Sequence, residues 1–81
     1  MNKGATPEKE LGTQPLDGLM TQLGLSNHDL VEASDEQLTH KMVQKGRKGR
    51  RLSPNIKTKI LNALHAAVPD RRFAHKDLFN Y

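Results

Sequence analysis

Ser26, Ser34 and Ser53 each stand just ahead of a stretch in which apolar residues return every three or four positions. That repeat is the period of an α-helix, and a serine so placed can hold a free backbone N–H of the first turn. A further stretch, Leu16, Leu19, Met20 and Leu23, keeps the same period behind Pro15, whose missing N–H costs nothing at a helix start. Gly24 suits the left-handed residue that ends such a helix, and Leu25 can fold back on its last turn. Strand signals are missing. Asp17-Gly18 lies inside the first helical stripe, and the chain has one Tyr, two Phe and no Trp. The pattern predicts an all-α fold of four to five helices.

The second helix is expected from Ser26, with Asp29 completing a capping box and Leu30, Val31 and Ala33 on the buried side. It is short, because Ser34 opens another cap with Gln37 in the reciprocal position. A third helix is then predicted from about Asp35 to Lys45. Leu38, Thr39, Met42 and Val43 form its inner side, and Gln37, His40, Lys41 and Gln44 its outer side. Gly46 is expected to break it, leaving Gly46 to Leu52 as a basic loop. The last long helix starts at Ser53-Pro54, buries Ile56, Ile60, Leu64 and Ala67, and ends at Pro69.

Eighty-one residues give room for one core. Residues 1–14 are polar and interrupted by Gly4, Pro7 and Gly12, so they are expected to be a disordered arm ahead of a domain over 15–69. Residues 70–81 form a tail holding all three aromatics, Phe73, Phe79 and Tyr81. That tail is expected either to dock as a short helix over the core or to make the seam of a homodimer. Without cysteine there is neither a disulfide nor a thiolate metal site, and His28, His40, His65 and His75 fall on separate segments without metal-ligand spacing. No metal and no cofactor are expected. No apolar run reaches the length of a membrane span, and the opening Met1-Asn2-Lys3-Gly4 is not that of a signal peptide, so a cytoplasmic, soluble protein is expected.

The net charge of +4 is unevenly spread. Acidic residues outnumber basic ones over residues 1–36. From Gln37 to Pro69 there is no acidic residue, yet the segment carries Lys41, Lys45, Arg47, Lys48, Arg50, Arg51, Lys57 and Lys59. A carboxylate-free basic block on a foldable domain points to a polyanion. Two short capped helices, the second with a polar outer face, fit a helix-turn-helix, in which that face meets base edges in the major groove. Gln37 and Gln44 can pair with adenine, Lys41 can donate to guanine, and Thr39 and His40 are placed to reach bases or phosphates. Lys45, Arg47, Lys48, Arg50 and Arg51 suit phosphate oxygens.

Residues 16–67 resemble the repressor/Cro-like, or xenobiotic-response-element, helix-turn-helix family, whose fold is lambda-repressor-like. The resemblance is carried by Leu23-Gly24-Leu25-Ser26-Asn27-His28-Asp29-Leu30-Val31-Glu32-Ala33, by Val43-Gln44-Lys45-Gly46, similar to the end of the family's recognition helix, and by Ser53-Pro54 with its apolar helix. It implies that Asn27 occupies a phosphate-touching position and that Gln37 lies near the start of the reading helix. The turn Ala33-Ser34-Asp35-Glu36 departs from the family pattern, and the segment from Gly46 to Pro54 is longer than usual.

The expected function is sequence-specific binding of double-stranded DNA by a small transcriptional regulator. The alternatives are a ribosome- or structured-RNA-binding protein that uses the basic loop, and a helical protein-interaction module. Nucleotide, nucleophile and metalloprotease motifs are missing, so catalysis is not expected.

Overall fold

The computed structural model describes residues 12–81. Among them the chain forms α1 (Pro15–Leu23), α2 (Asn27–Ala33), α3 (His40–Lys48), α4 (Pro54–Ala67) and α5 (His75–Leu78), and no strand. The all-helical expectation therefore holds, with five helices. Leu16 and Met20 of α1, Leu30 of α2, Val43 of α3, Ile60 and Leu64 of α4 and Leu78 of α5 meet in one core. α2 lies along α4, while α1 touches both α3 and α5.

Local chemistry places α1, α2 and α4 where the sequence puts them. Pro15 opens α1, and Gly24 closes it at φ 72° with Leu25 N–H donating to the Met20 carbonyl. Ser26 caps α2 in a full capping box with Asp29. The Ser53 hydroxyl accepts the Ile56 N–H, and Pro54 begins α4.

α3 departs from expectation. It starts at His40, not near Asp35, and runs to Lys48 through Gly46. Ser34 does not cap it. Its hydroxyl is held in a local turn, accepting the Glu36 N–H and donating to the Glu36 carbonyl. Thr39 takes the capping role instead, accepting the Met42 N–H at 3.1 Å. The connection from α2 is thus Ser34 to Thr39, and Leu38 within it is buried. Gln37, predicted on the helix, is exposed in this connection. Thr39 is exposed too, so its place on the predicted inner side is corrected.

Gly46 is buried inside α3, not a breaker. A Cβ there would lie 3.1 Å from Leu52 Cδ1, 3.2 Å from Ile60 Cδ1 and 3.4 Å from Leu16 Cδ2. The missing side chain is what lets α3 press onto α1 and α4 together. The helix ends at Gly49, in the left-handed region at φ 91° and directly against the Gly12 backbone. Gly46, Arg47 and Lys48 of the predicted basic loop are therefore helix.

The tail docks within the chain. Leu78 and Phe79 are buried, and His65 of α4 stacks on Phe73 while its Nε2 hydrogen-bonds the Phe73 backbone, 3.1 Å from the amide N. The packed region also begins earlier than expected. Gln14, assigned to the arm over 1–14, is buried, and its Oε1 accepts the Asn80 N–H at 2.7 Å. Gly12 and Thr13 of that arm are exposed, and residues 1–11 lie outside the described residues.

This packing leads to two expected outcomes. Gly46→Val adds branched methyls where even a Cβ is tight, and should lower stability by about 1–3 kcal/mol in urea unfolding. Unchanged stability would contradict the close approach of α3. The second concerns acid. The Ser26 backbone N–H, then the Ser26 hydroxyl, hold the Asp29 carboxyl below its ordinary value. A carboxyl depressed in the folded state stabilises above its unfolded pKa of about 3.9 and loses that contribution as pH falls through the lower folded value. Carboxyl chemical shifts should place the Asp29 midpoint below that of the same residue in the urea-unfolded chain. Equal midpoints would mean that the capping box does not form in solution.

Candidate nucleic-acid interface

Rotation of α3 is set by what it buries. Val43 and Gly46 face inward, so His40, Lys41, Gln44, Lys45 and Lys48 share the exposed side at i, i+1, i+4, i+5 and i+8. Arg50 and Arg51, both exposed, extend this side beyond Gly49. Lys41, Gln44, Lys45, Lys48 and Arg50 line one shallow depression. Thr39, Lys41, Lys45, Arg51 and Ser53 line another, between α3 and the start of α4. The structure thus gathers seven of the predicted residues on one surface: His40, Lys41, Gln44, Lys45, Lys48, Arg50 and Arg51.

Of the other four, Gln37 stands in the connection ahead of α3, and Thr39, at the rim of the second depression, uses its hydroxyl as an acceptor for the Met42 N–H. Arg47 turns away from the face. Its Nε donates to Asp17 Oδ1 at 2.6 Å and its Nη1 to Asn27 Oδ1 at 2.7 Å, and its side chain is only 18% exposed. Asn27 in turn donates through Nδ2 to Gln44 Oε1 at 2.9 Å. One polar chain therefore ties α1, α2 and α3 together, with Gln44 at its outer end. Gln44 thus has one lone pair of Oε1 engaged by Asn27 and keeps its exposed position on α3.

The carboxylates nearby are occupied. Asp17 holds Arg47, Asp29 holds Ser26, and Glu32 lies 3.6 Å from His28 Nε2. Glu36 accepts from Asn62 Nδ2 of α4 at 3.0 Å. Because α3 begins at His40, neither Asp35 nor Glu36 sits in its first turn, which has no acidic residue.

His28 and His40 meet at the start of the face, with Nδ1 of one 3.2 Å from Nε2 of the other and rings stacked at 5.3 Å. A hydrogen bond between two imidazole nitrogens needs one donor and one acceptor, so the roles of the two rings are complementary. Among the described residues no three His, Cys, Asp or Glu side chains converge on a metal position, and no helix is long and apolar enough to cross a membrane.

Sequence reasoning missed Asp17, His28 and Tyr81. Helix-dipole chemistry already accounts for Asp17 in a first turn, and nothing local marks its distant partner. Tyr81 carried an aromatic signal but no indication of where its hydroxyl points. Comparison of the chain with family models, with curated proteins and with solved structures finds no match.

The face separates two roles that the sequence merged. Arg47→Met should destabilise the fold by about 0.5–1.5 kcal/mol, a low figure because the Asp17 side chain is 39% exposed and screened by water. It should leave the salt dependence of polyanion binding unchanged. Lys45→Met should do the reverse, sparing stability and lowering the salt slope. Paired urea and salt titrations measure both, and equal slopes for the two variants would refute the division.

Proposed function

We propose that this chain binds double-stranded DNA non-covalently as a helix-turn-helix domain, with α2 supporting α3 and the exposed side of α3 entering the major groove. The observation that carries the reading is the carboxylate-free stripe His40, Lys41, Gln44, Lys45 and Lys48, continued by Arg50 and Arg51. A helix fits the major groove, and cations at its edges reach the flanking phosphates. Gln44, steadied by Asn27, is the base-reading candidate, and His40 stands at the leading end.

The resemblance to the repressor/Cro-like family supports the same reading through Ser26, Asn27 and Ser53-Pro54. The connection from Ser34 to Thr39 is longer than the three or four residues of a tight helix-turn-helix turn. It places Leu38 in the core beneath α3. In this reading the protein is a small transcriptional regulator without catalytic activity.

If Lys41, Lys45, Lys48, Arg50 and Arg51 meet about 4–5 phosphates, log affinity should fall against log salt with a slope of roughly −0.9 per contact. Gln44→Ala should reduce discrimination between a selected and a random duplex by about 1–3 kcal/mol. Gln37→Ala should leave it unchanged. Fluorescence anisotropy with labelled duplexes tests all three. No duplex binding near about 50 mM salt, a low-salt condition in which such contacts are strong, overturns the reading. So does amide shift mapping that spares residues 40–51.

A further inference from the structure

The backbone between α3 and α4 is held by a residue far away in the chain. The Tyr81 hydroxyl accepts the Leu52 N–H at 3.0 Å and donates to the Arg50 carbonyl at 3.2 Å. One phenol thus satisfies a donor and an acceptor on either side of Arg51, just beyond the Arg50 N–H that closes the end of α3 on the Lys45 carbonyl. The contact does not end there. Lys57 of α4 donates through Nζ to the Tyr81 carbonyl at 3.2 Å and stands 4.3 Å from the centre of the ring. The Arg51 guanidinium lies 5.6 Å from the same centre. Phe79, buried beside it, meets the ring edge-on at 5.7 Å.

Tyr81 is therefore anchored on three sides and bonded to the backbone that carries Arg50 and Arg51. The chain leaves α3 through Gly49 with the Arg50 N–H on the Lys45 carbonyl and re-enters the core at the buried Leu52, and the two Tyr81 bonds hold the backbone at Arg51 between these points. Burial pushes the Tyr81 phenol above its ordinary pKa and keeps it protonated, so it remains a donor across the neutral range.

We infer that Tyr81 is a positioning residue of the nucleic-acid face, fixing the Arg50–Leu52 backbone so that the Arg50 and Arg51 side chains meet phosphates in register with the α3 lysines. This rests on the reading of α3 as the DNA-binding helix and extends it to the tail, which becomes part of the binding apparatus and not merely a cover for the core. Tyr81 itself touches no phosphate in this arrangement. Its effect passes through the two arginines.

The test is a double-mutant cycle in the full chain, using random-sequence duplex DNA at several salt concentrations. Tyr81→Phe removes only the hydroxyl and keeps the ring against Lys57 and Phe79. It should weaken binding about 3- to 10-fold, the scale of one or two lost hydrogen bonds, and lower the salt slope by about 1–2 contacts. Arg51→Ala should weaken the unaltered protein but change the Tyr81→Phe protein much less, since the phosphate contact is already lost there. Amide exchange at Leu52 should speed up in Tyr81→Phe while α1 and α4 amides stay protected.

Additive losses, with an unchanged salt slope, would show that Tyr81 acts on stability alone and overturn the inference. Full affinity in Tyr81→Phe would overturn it too, while leaving duplex binding by α3 intact. If Tyr81→Phe proves poorly folded, Arg50→Ala and Arg51→Ala compared with and without Lys57→Met put the inference through the same cycle, because Lys57 anchors Tyr81 from the other side. Additivity there overturns the inference as well. Failure of the unaltered chain to bind duplex is a separate result, and it removes the underlying reading together with this extension.

Discussion

The absence of a side chain at Gly46 sets the geometry of everything around it. Leu16, Leu52 and Ile60 converge on this point from three parts of the chain, and a Cβ there would make their side chains give by a few tenths of an ångström. Pressing α3 this close fixes its rotation as well as its distance. Val43 and Gly46 face the core, and the lysines have only the opposite side to occupy. The polar chain from Asp17 through Arg47 and Asn27 to Gln44 then locks the rotation from the edge. Packing chooses the face, and hydrogen bonding keeps it from turning.

Much of the fold was legible because its signals are local. Pro15, Ser26 with Asp29, and Ser53-Pro54 each announce a helix within four residues, and their helices begin where they point. The start of α3 was not legible. Ser34 and Thr39 are both competent caps, and the choice between them depends on burying Leu38 and on a turn that engages Ser34 with Glu36. Gly46 was misread for the same reason. Its helix propensity is poor, and only the neighbours that crowd it explain its presence.

The candidate face was legible in composition but not in detail. A basic block without carboxylates predicted the sign of the surface, and seven of the named residues lie on it. Arg47 differs from its basic neighbours only by its angle around α3, which became defined only because the helix continues through Gly46. With α3 running to Lys48, Arg47 falls at the border of the buried side, beside Asp17 and Asn27. An error of a few residues in one helix end is enough to turn a structural arginine into an apparent ligand contact.

The bond from Asn80 to Gln14 spans 66 residues and joins the edge of the first helix to the end of the last. The helices already pack mostly across intervening elements, α2 with α4 and α1 with α3 and α5, an arrangement that slows assembly because more chain must be closed before contacts form. The Gln14 staple requires nearly the whole described chain to come round, and Gln14 also ties back to α3 through its N–H on the Arg47 carbonyl. Chain closure entropy grows only slowly with loop length, so the cost of this closure is modest, but it has no local contacts to nucleate it. Joining the two ends therefore costs folding time more than stability, since the groups it brings together lie far apart in the chain.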